Sequence, residues 1–254
     1  MKKLILIYAI IFISIFNLFA GGSSQFQLEK NKEIILLSSG TGIILTGAVL
    51  KSLSSEPKST PAVWLTYPTN PYKGNLASAS NYLLAAGITA LPFLVDSWDW
   101  NEAATLGVMY VEALSITWGV KESLKAVFTK NRPYTSYPDT PSNLMVSEDR
   151  YFSFPSGHTS IAFTTAGFAT SIFAVSDASA LMKYLFGCAN FALASGVATL
   201  RVASGEHYLV DVLAGALLGT ASGILIPYLH YNGKNNETTS LFINPNTVAL
   251  NYSY

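Results

Sequence analysis

Six stretches of the chain carry apolar residues at helical spacing, and proline, serine and charge break the pattern between them. The first, Ile34 to Leu53, is apolar but studded with Gly and Ser and ends near Lys51. The second covers about 79–96 and is interrupted by Pro92. The third runs from about Glu102 to Phe128, apolar at first and amphipathic through Lys121, Glu122 and Lys125, and halts at Asn131-Arg132-Pro133. Three more follow at about 157–175, 181–200 and 207–229. Gly215, Gly219 and Gly223 in the last of them allow close helix–helix approach. Between the helices, Pro57, Pro61, Pro68 and Pro71 forbid regular structure through about residue 76, and Pro138, Pro141 and Ser142 mark 134–153 as loop. The pattern predicts an all-α, up-and-down bundle of about six helices. Leu241 to Tyr254 alternates like a strand around Asn244-Pro245-Asn246, which reads as a small hairpin or a loose extension.

Composition moves this bundle into a membrane. Only 12% of the 254 residues are charged, 50% are hydrophobic, and the mean hydropathy is +0.35. Net charge is zero and the lysines are scattered, which excludes nucleic acid as a partner. Lys2-Lys3, an apolar run from Leu4 to Phe16, and small residues after Ala20 read as a secretory signal peptide over 1–20, with an uncleaved anchor as the alternative. A polar linker over 21–32, one helical domain over 33–232 and a tail over 233–254 complete the organisation. Cys188 is the one cysteine, so an intrachain disulfide and a cysteine metal site are both excluded.

The scarce residues carry the chemistry. There are three arginines (Arg132, Arg150, Arg201) and three histidines (His158, His207, His230). Lys125 and Arg132, six residues apart from end to end of the gap, close the third helix, where the helix dipole favours cations but where a phosphate dianion would also be gripped. Phe154-Pro155-Ser156-Gly157-His158-Thr159-Ser160 is a polar turn opening into an apolar helix. Ser156 alone is a helix cap and His158 alone a core histidine; with Gly157 between them, the helix N-terminus becomes an anion seat. Arg201, His207 and Asp211 form the third group, with His207 and Asp211 on the first turns of the last helix and able to hydrogen-bond. A carboxylate on one imidazole nitrogen would leave the other free as nucleophile or base. In an up-and-down bundle all these positions fall at one end. Arg150, with Glu148 and Asp149, reads as solvated loop charge, His230 as an interfacial polar end, and Glu112 as a partner of Lys121 or of another polar group.

The three groups resemble the three-part signature of the type 2 phosphatidic acid phosphatase superfamily: Lys-six-Arg-Pro, Pro-Ser-Gly-His, and Ser-Arg-five-His-three-Asp. Leu200 stands where the last motif often has Ser. The resemblance implies a metal-independent phosphatase without cofactor, acting on a phosphomonoester or pyrophosphate. In it His207 attacks phosphorus to form a phosphohistidine, Asp211 orients His207, and His158 protonates the leaving group and then activates water. Lys125, Arg132, Ser156, Gly157 and Arg201 would hold the phosphate oxygens, with no metal.

An apolar bundle beside that seat favours a phosphorylated membrane lipid as substrate. The alternatives are a periplasmic acid phosphatase for soluble esters, a non-catalytic phospholipid-binding membrane protein, a vanadate-bound oxidase on the similar haloperoxidase scaffold, and a hydrolase with metal on His158, His207 and Asp211. The expected location is a bacterial inner membrane with the site facing the periplasm, or the periplasm itself. Helix parity strains this: with a cleaved signal and six spanning helices the site faces the cytoplasm, so either one early helix does not span, the Pro92-interrupted stretch being the best suspect, or the domain is a periplasmic helical bundle attached peripherally.

Overall fold

The computed structural model describes residues 25–54, 71–89, 91–94, 99–232, 240–244 and 247–251. The N-terminal run read as a signal peptide, and the Pro57, Pro61 and Pro68 loop, lie outside the described residues. Among the described residues six long helices form: α1 (Lys30–Leu53), α2 (Gly74–Thr89), α3 (Trp100–Val127), α4 (Gly157–Ala174), α5 (Ala180–Ala203) and α6 (Leu209–His230). An antiparallel hairpin, β1 (Ser240–Asn244) with β2 (Thr247–Asn251), realises the alternation seen in the tail.

The helix starts follow from local chemistry. Asp99 caps α3 by accepting the Asn101 N–H, and Ser179 caps α5 by accepting that of Met182. At α6 the carboxylate of Asp211, in the first turn, reaches back to the Tyr208 N–H at 2.9 Å. That cap places the start of α6 at Leu209, so His207 sits before the helix rather than on its first turn. The second helix also differs from expectation, beginning at Gly74 and ending at Thr89, with Pro92 in a separate tight turn over Leu91–Leu94.

The bundle is assembled around α4, which packs on α6, α5, α3 and α2, while α1 lies along α3. Met109, Ala113, Phe168 and Ile226 are central to one buried cluster, and Ala162, Ala166, Ala194 and Val197 to a second. Against α4 the glycines of α6 allow near-contact of backbones. A Cβ on Gly219 would stand 2.2 Å from the Ser160 carbonyl oxygen, and one on Gly223 2.3 Å from that of Thr164.

The outer faces carry Leu45, Val49, Leu181, Leu185, Leu213 and Leu217, all exposed. Apolar residues on the outside of so apolar a bundle need lipid around them. Helices α1, α3, α5 and α6 are each long and apolar enough to cross a membrane. The protein is a membrane protein.

The two ends of the bundle are closed differently. At one, residues flanking α1 and α6 pair: Gln27 N–H donates to the His230 carbonyl at 3.0 Å, Asn232 N–H to that of Gln25 at 2.9 Å, and Phe26 meets Tyr231 edge-on. At the other, the segment 128–156 folds over the helix ends as a series of single turns, Pro133–Ser136, Ser142–Met145 and Glu148–Tyr151. It is tied down by Tyr134 N–H to the Gly205 carbonyl at 3.0 Å and by Ser156 N–H to that of Asp211 at 2.9 Å. Gly205 has φ +84°, and a Cβ there would stand 2.7 Å from the Tyr137 ring, so only glycine turns the chain from α5 toward α6.

Candidate active site

The end covered by 128–156 gathers all three sequence motifs. Lys125 ends α3, Arg132 follows it, Ser156 to His158 open α4, Arg201 ends α5, and His207 and Asp211 flank the start of α6. An open cleft of about 330 Å³ is lined by Tyr72, Asn81, Arg132, His158, Arg201 and Glu206. Arg132 and Arg201 line it, each almost wholly buried, and Lys125, equally buried, lies behind them near Asp149.

Their partners are carboxylates. Arg132 Nη1 donates to Glu206 at 2.6 Å and lies 3.4 Å from His207 Nε2, and its Nη2 pairs with Asp149. Arg201 Nη2 reaches the same Glu206 oxygen at 3.4 Å, while its Nη1 donates to Ser80 Oγ at 3.3 Å and its Nε is buried without a hydrogen-bond partner. Lys125 Nζ lies 3.7 Å from Asp149. A carboxylate oxygen shared by two guanidiniums marks the place where an anionic oxygen is best accommodated. Asp149 is therefore ion-paired while its side chain stays half exposed, which adds a cation-binding role to the solvated loop charge its sequence context suggested. Burial opposes its ionisation, but Arg132 and Lys125 hold its carboxyl down at about 2.

His207 is oriented differently from the sequence expectation. Its Nδ1 lies 2.8 Å from the Ser153 carbonyl oxygen and 3.8 Å from Asp211 Oδ2. A carbonyl only accepts, so Nδ1 carries the proton and the lone pair on Nε2 faces Arg132. Asp211 acts one step back. It accepts from Ser153 Oγ at 2.6 Å, Lys130 Nζ at 2.7 Å and the Tyr208 N–H, fixing the residue whose carbonyl orients the imidazole. Burial first, then the Arg132 guanidinium, push the His207 pKa well below its ordinary value. Burial, with Arg201, Arg132 and Lys125 around it, takes His158 down to about 3.

The polar turn divides its work. Ser156 is fully buried and caps α4, its Oγ accepting from the Thr159 N–H at 3.5 Å and from Thr159 Oγ1 at 3.0 Å. Gly157 opens α4 with Lys121 beside it: a Cβ would stand 3.2 Å from Lys121 Cδ. Lys121 itself pairs with Glu122 at 2.6 Å and lies over Trp118, so it is not the partner of Glu112.

The PAP2 superfamily model matches residues 105–234, more than half of the chain and all three motifs. The chain belongs to the PAP2 superfamily. A PA-phosphatase related-family protein of Dictyostelium discoideum is 29% identical over 173 residues, covering 63% of this chain and 62% of that protein. The bacitracin transport permease protein BcrC of Bacillus licheniformis is 29% identical over 161 residues, covering 62% of this chain and 70% of that one. The alignment thus spans somewhat under two thirds of the first relative. Among solved structures, LpxE of Aquifex aeolicus matches at TM-score 0.43 and 23% identity, over 65% of this chain and 90% of that one. The transmembrane PAP2-type phosphatidylglycerolphosphate phosphatase of Bacillus subtilis matches at TM-score 0.49 and 19% identity, over 75% and 94%.

Within this PAP2 site, sequence reasoning missed Lys130, Ser153, Glu206 and Asp149. Glu206, directly before His207, carried the one usable signal: an acidic residue inside a motif otherwise built of cations and histidines. Ser153 acts through its backbone carbonyl, which no motif encodes.

Proposed function

We propose that the chain is a lipid phosphatase working through a phosphohistidine on His207. The observation that carries this is His207 itself: a buried imidazole whose Nδ1 is locked as donor to Ser153, with its Nε2 lone pair turned toward Arg132 at the cation-lined cleft. Phosphate entering the cleft displaces the Glu206 carboxylate from Arg132 and Arg201, and Lys125 and the Gly157 end of α4 complete the anion seat. The Nε2 lone pair forms the P–N bond as the P–O bond to the alcohol breaks, and His158, protonated once the phosphate offsets the surrounding cations, gives its proton to the leaving oxygen. His158 then takes a proton from water, whose oxygen attacks phosphorus as the P–N bond breaks and His207 is regenerated. The Asp211 carboxylate, 3.8 Å from Nδ1, stabilises the imidazolium character of the intermediate. Charge is supplied by side chains where a metal hydrolase would use an ion.

A lipid is the favoured substrate because the seat opens at the end of a bundle whose flanks are lipid-facing leucines, so a headgroup at the interface reaches it while its tail stays in the bilayer. We place the seat on the outer face of a bacterial inner membrane, where members acting on exported lipids are expected to work.

The test is a panel assay in detergent micelles with phosphatidate, phosphatidylglycerophosphate, undecaprenyl pyrophosphate, lipid A and a soluble ester. Hydrolysis of at least one lipid is expected, with acid-labile phosphate trapped on the wild-type chain. In His207→Ala both should disappear, the rate falling by roughly a thousand-fold or more. Lipid binding without hydrolysis in the wild type would leave a binding protein, and preference for the soluble ester would favour an acid phosphatase.

A further inference from the structure

A second polar cluster lies at the end of the bundle remote from the phosphate seat. Glu33 from the first turn of α1, Glu112 from the middle of α3 and His230 at the end of α6 meet there, with 1%, 0% and 1% of their surfaces exposed. Along α3, Glu112 and Lys125 are thirteen residues apart, about 20 Å at the helical rise. His230 is thus buried in the bundle, not an interfacial end, and Glu112 has found the partner that sequence left open.

The donor atoms point inward. His230 Nδ1 lies 2.8 Å from the Ile226 carbonyl oxygen and must donate to it, which presents Nε2 to the two carboxylates. Nε2 is 2.9 Å from Glu33 Oε2 and 3.3 Å from Glu112 Oε2. Glu33 Oε1 is already satisfied by the Glu29 N–H at 2.6 Å, leaving Oε2 for the cluster. Both oxygens of Glu112 are buried without a hydrogen-bond partner. Lys32, a neighbouring cation, is engaged by Glu29 and the Leu229 carbonyl.

We propose that Glu33, Glu112 and His230 form a buried three-ligand site for a zinc-class divalent cation that staples α1 to α3 and α6. Donors about 2.0–2.1 Å from a tetrahedral ion stand roughly 3.3–3.4 Å from one another. The observed separations from Nε2 already approach that spacing, and one donor atom from each residue falls within 4.8 Å of the others. The imidazole nitrogen, Glu33 Oε2 and one free oxygen of Glu112 supply three donors, and a water or the second Glu112 oxygen at longer range completes the shell. Two carboxylates and a neutral imidazole carry a formal charge of −2, which a divalent ion cancels in a place where an uncompensated charge is costly. Nitrogen with oxygen donors at this spacing suits zinc better than calcium or magnesium, which need six or more oxygens or retained waters.

The full chain, purified in detergent and stripped with chelator, is dialysed against micromolar zinc; bound metal is counted by mass spectrometry and the melting temperature recorded. About one zinc per chain and a rise of several degrees are expected for the wild type. Glu112→Gln and His230→Gln, each checked for a monodisperse elution profile, should lose both effects. A His158→Ala/His207→Ala double variant should keep them, since its changes lie at the other end. No zinc bound by the wild type overturns the proposal by itself and leaves a hydrogen-bonded triad around an imidazolium; zinc lost with the His158/His207 pair overturns it by placing the metal in the phosphate seat.

Discussion

The decisive residue is His207, and its setting couples anion binding to protons. In the absence of an anion, burial and the guanidiniums keep His207 and His158 neutral far below the ordinary histidine value of about 6.5. In that window the unfolded chain binds the more protons, so native stability falls as pH drops below about 6.5, by up to about 1.4 kcal/mol per pH unit for each ring. Asp149, held down at about 2, adds its loss only at much lower pH. We therefore expect the melting temperature in detergent to fall between pH 7 and pH 5, inorganic phosphate to restore part of it, and His158→Gln to make the slope shallower. A melting temperature indifferent to pH across that range would contradict the neutral-histidine state. Sequence located both rings and both arginines because scarcity made them conspicuous. It named Asp211 as the orienting group, which lies 3.8 Å from Nδ1, and missed the closer Ser153 carbonyl at 2.8 Å, a product of how 128–156 folds.

At the scale of elements, the contact between α4 and α6 sets the distance between His158 and His207, and glycine sets that contact. Gly219 brings its Cα to where a methyl group would overlap the Ser160 carbonyl oxygen at 2.2 Å and approach the Thr164 nitrogen at 2.8 Å. Because both are backbone atoms, the helices must separate to admit a side chain. Gly219→Ala should cost about 1–3 kcal/mol or more and lower phosphate release as well as the melting temperature, whereas Leu217→Ala, on the lipid-facing side, should leave both near wild type. The glycine spacing was legible in sequence, as were five helices to within a few residues. The second helix starts earlier than the proline run predicts, because the chain needs only to clear Pro71 before Lys73 N–H bonds the Ser204 carbonyl and α2 begins. The start of α6 was placed early because Asp211 caps from inside the helix.

For the whole molecule, parity becomes a constraint. Chain order runs from the paired end, at Gln25 to Lys30, to the seat at the end of α1, and every later helix returns between the same two ends. Since α2 begins and α3 finishes at the seat, the Pro92 interruption does not remove a crossing, and Gln25 always lies on the side opposite the seat. A signal peptide that carried Gln25 outward would turn the seat toward the cytoplasm. The outward seat proposed here accordingly requires Gln25 to stay inside. A protease site inserted in 134–153 should be cut in intact spheroplasts, and one inserted ahead of Gln25 protected; the reverse pattern would place the seat inside and restore the signal-peptide reading.

The pairing of residues 25–27 with 230–232 has a consequence for how the chain could be rewired. With those strands of backbone bonded side by side, the six helices form a circuit, and the entry and exit points are neighbours. Joining them by a short linker and opening the circuit at an exposed turn such as Ser142–Met145 would keep each helix against the partners it has now. The packing specifies a cyclic order of helices, and where along that cycle translation begins is a separate choice.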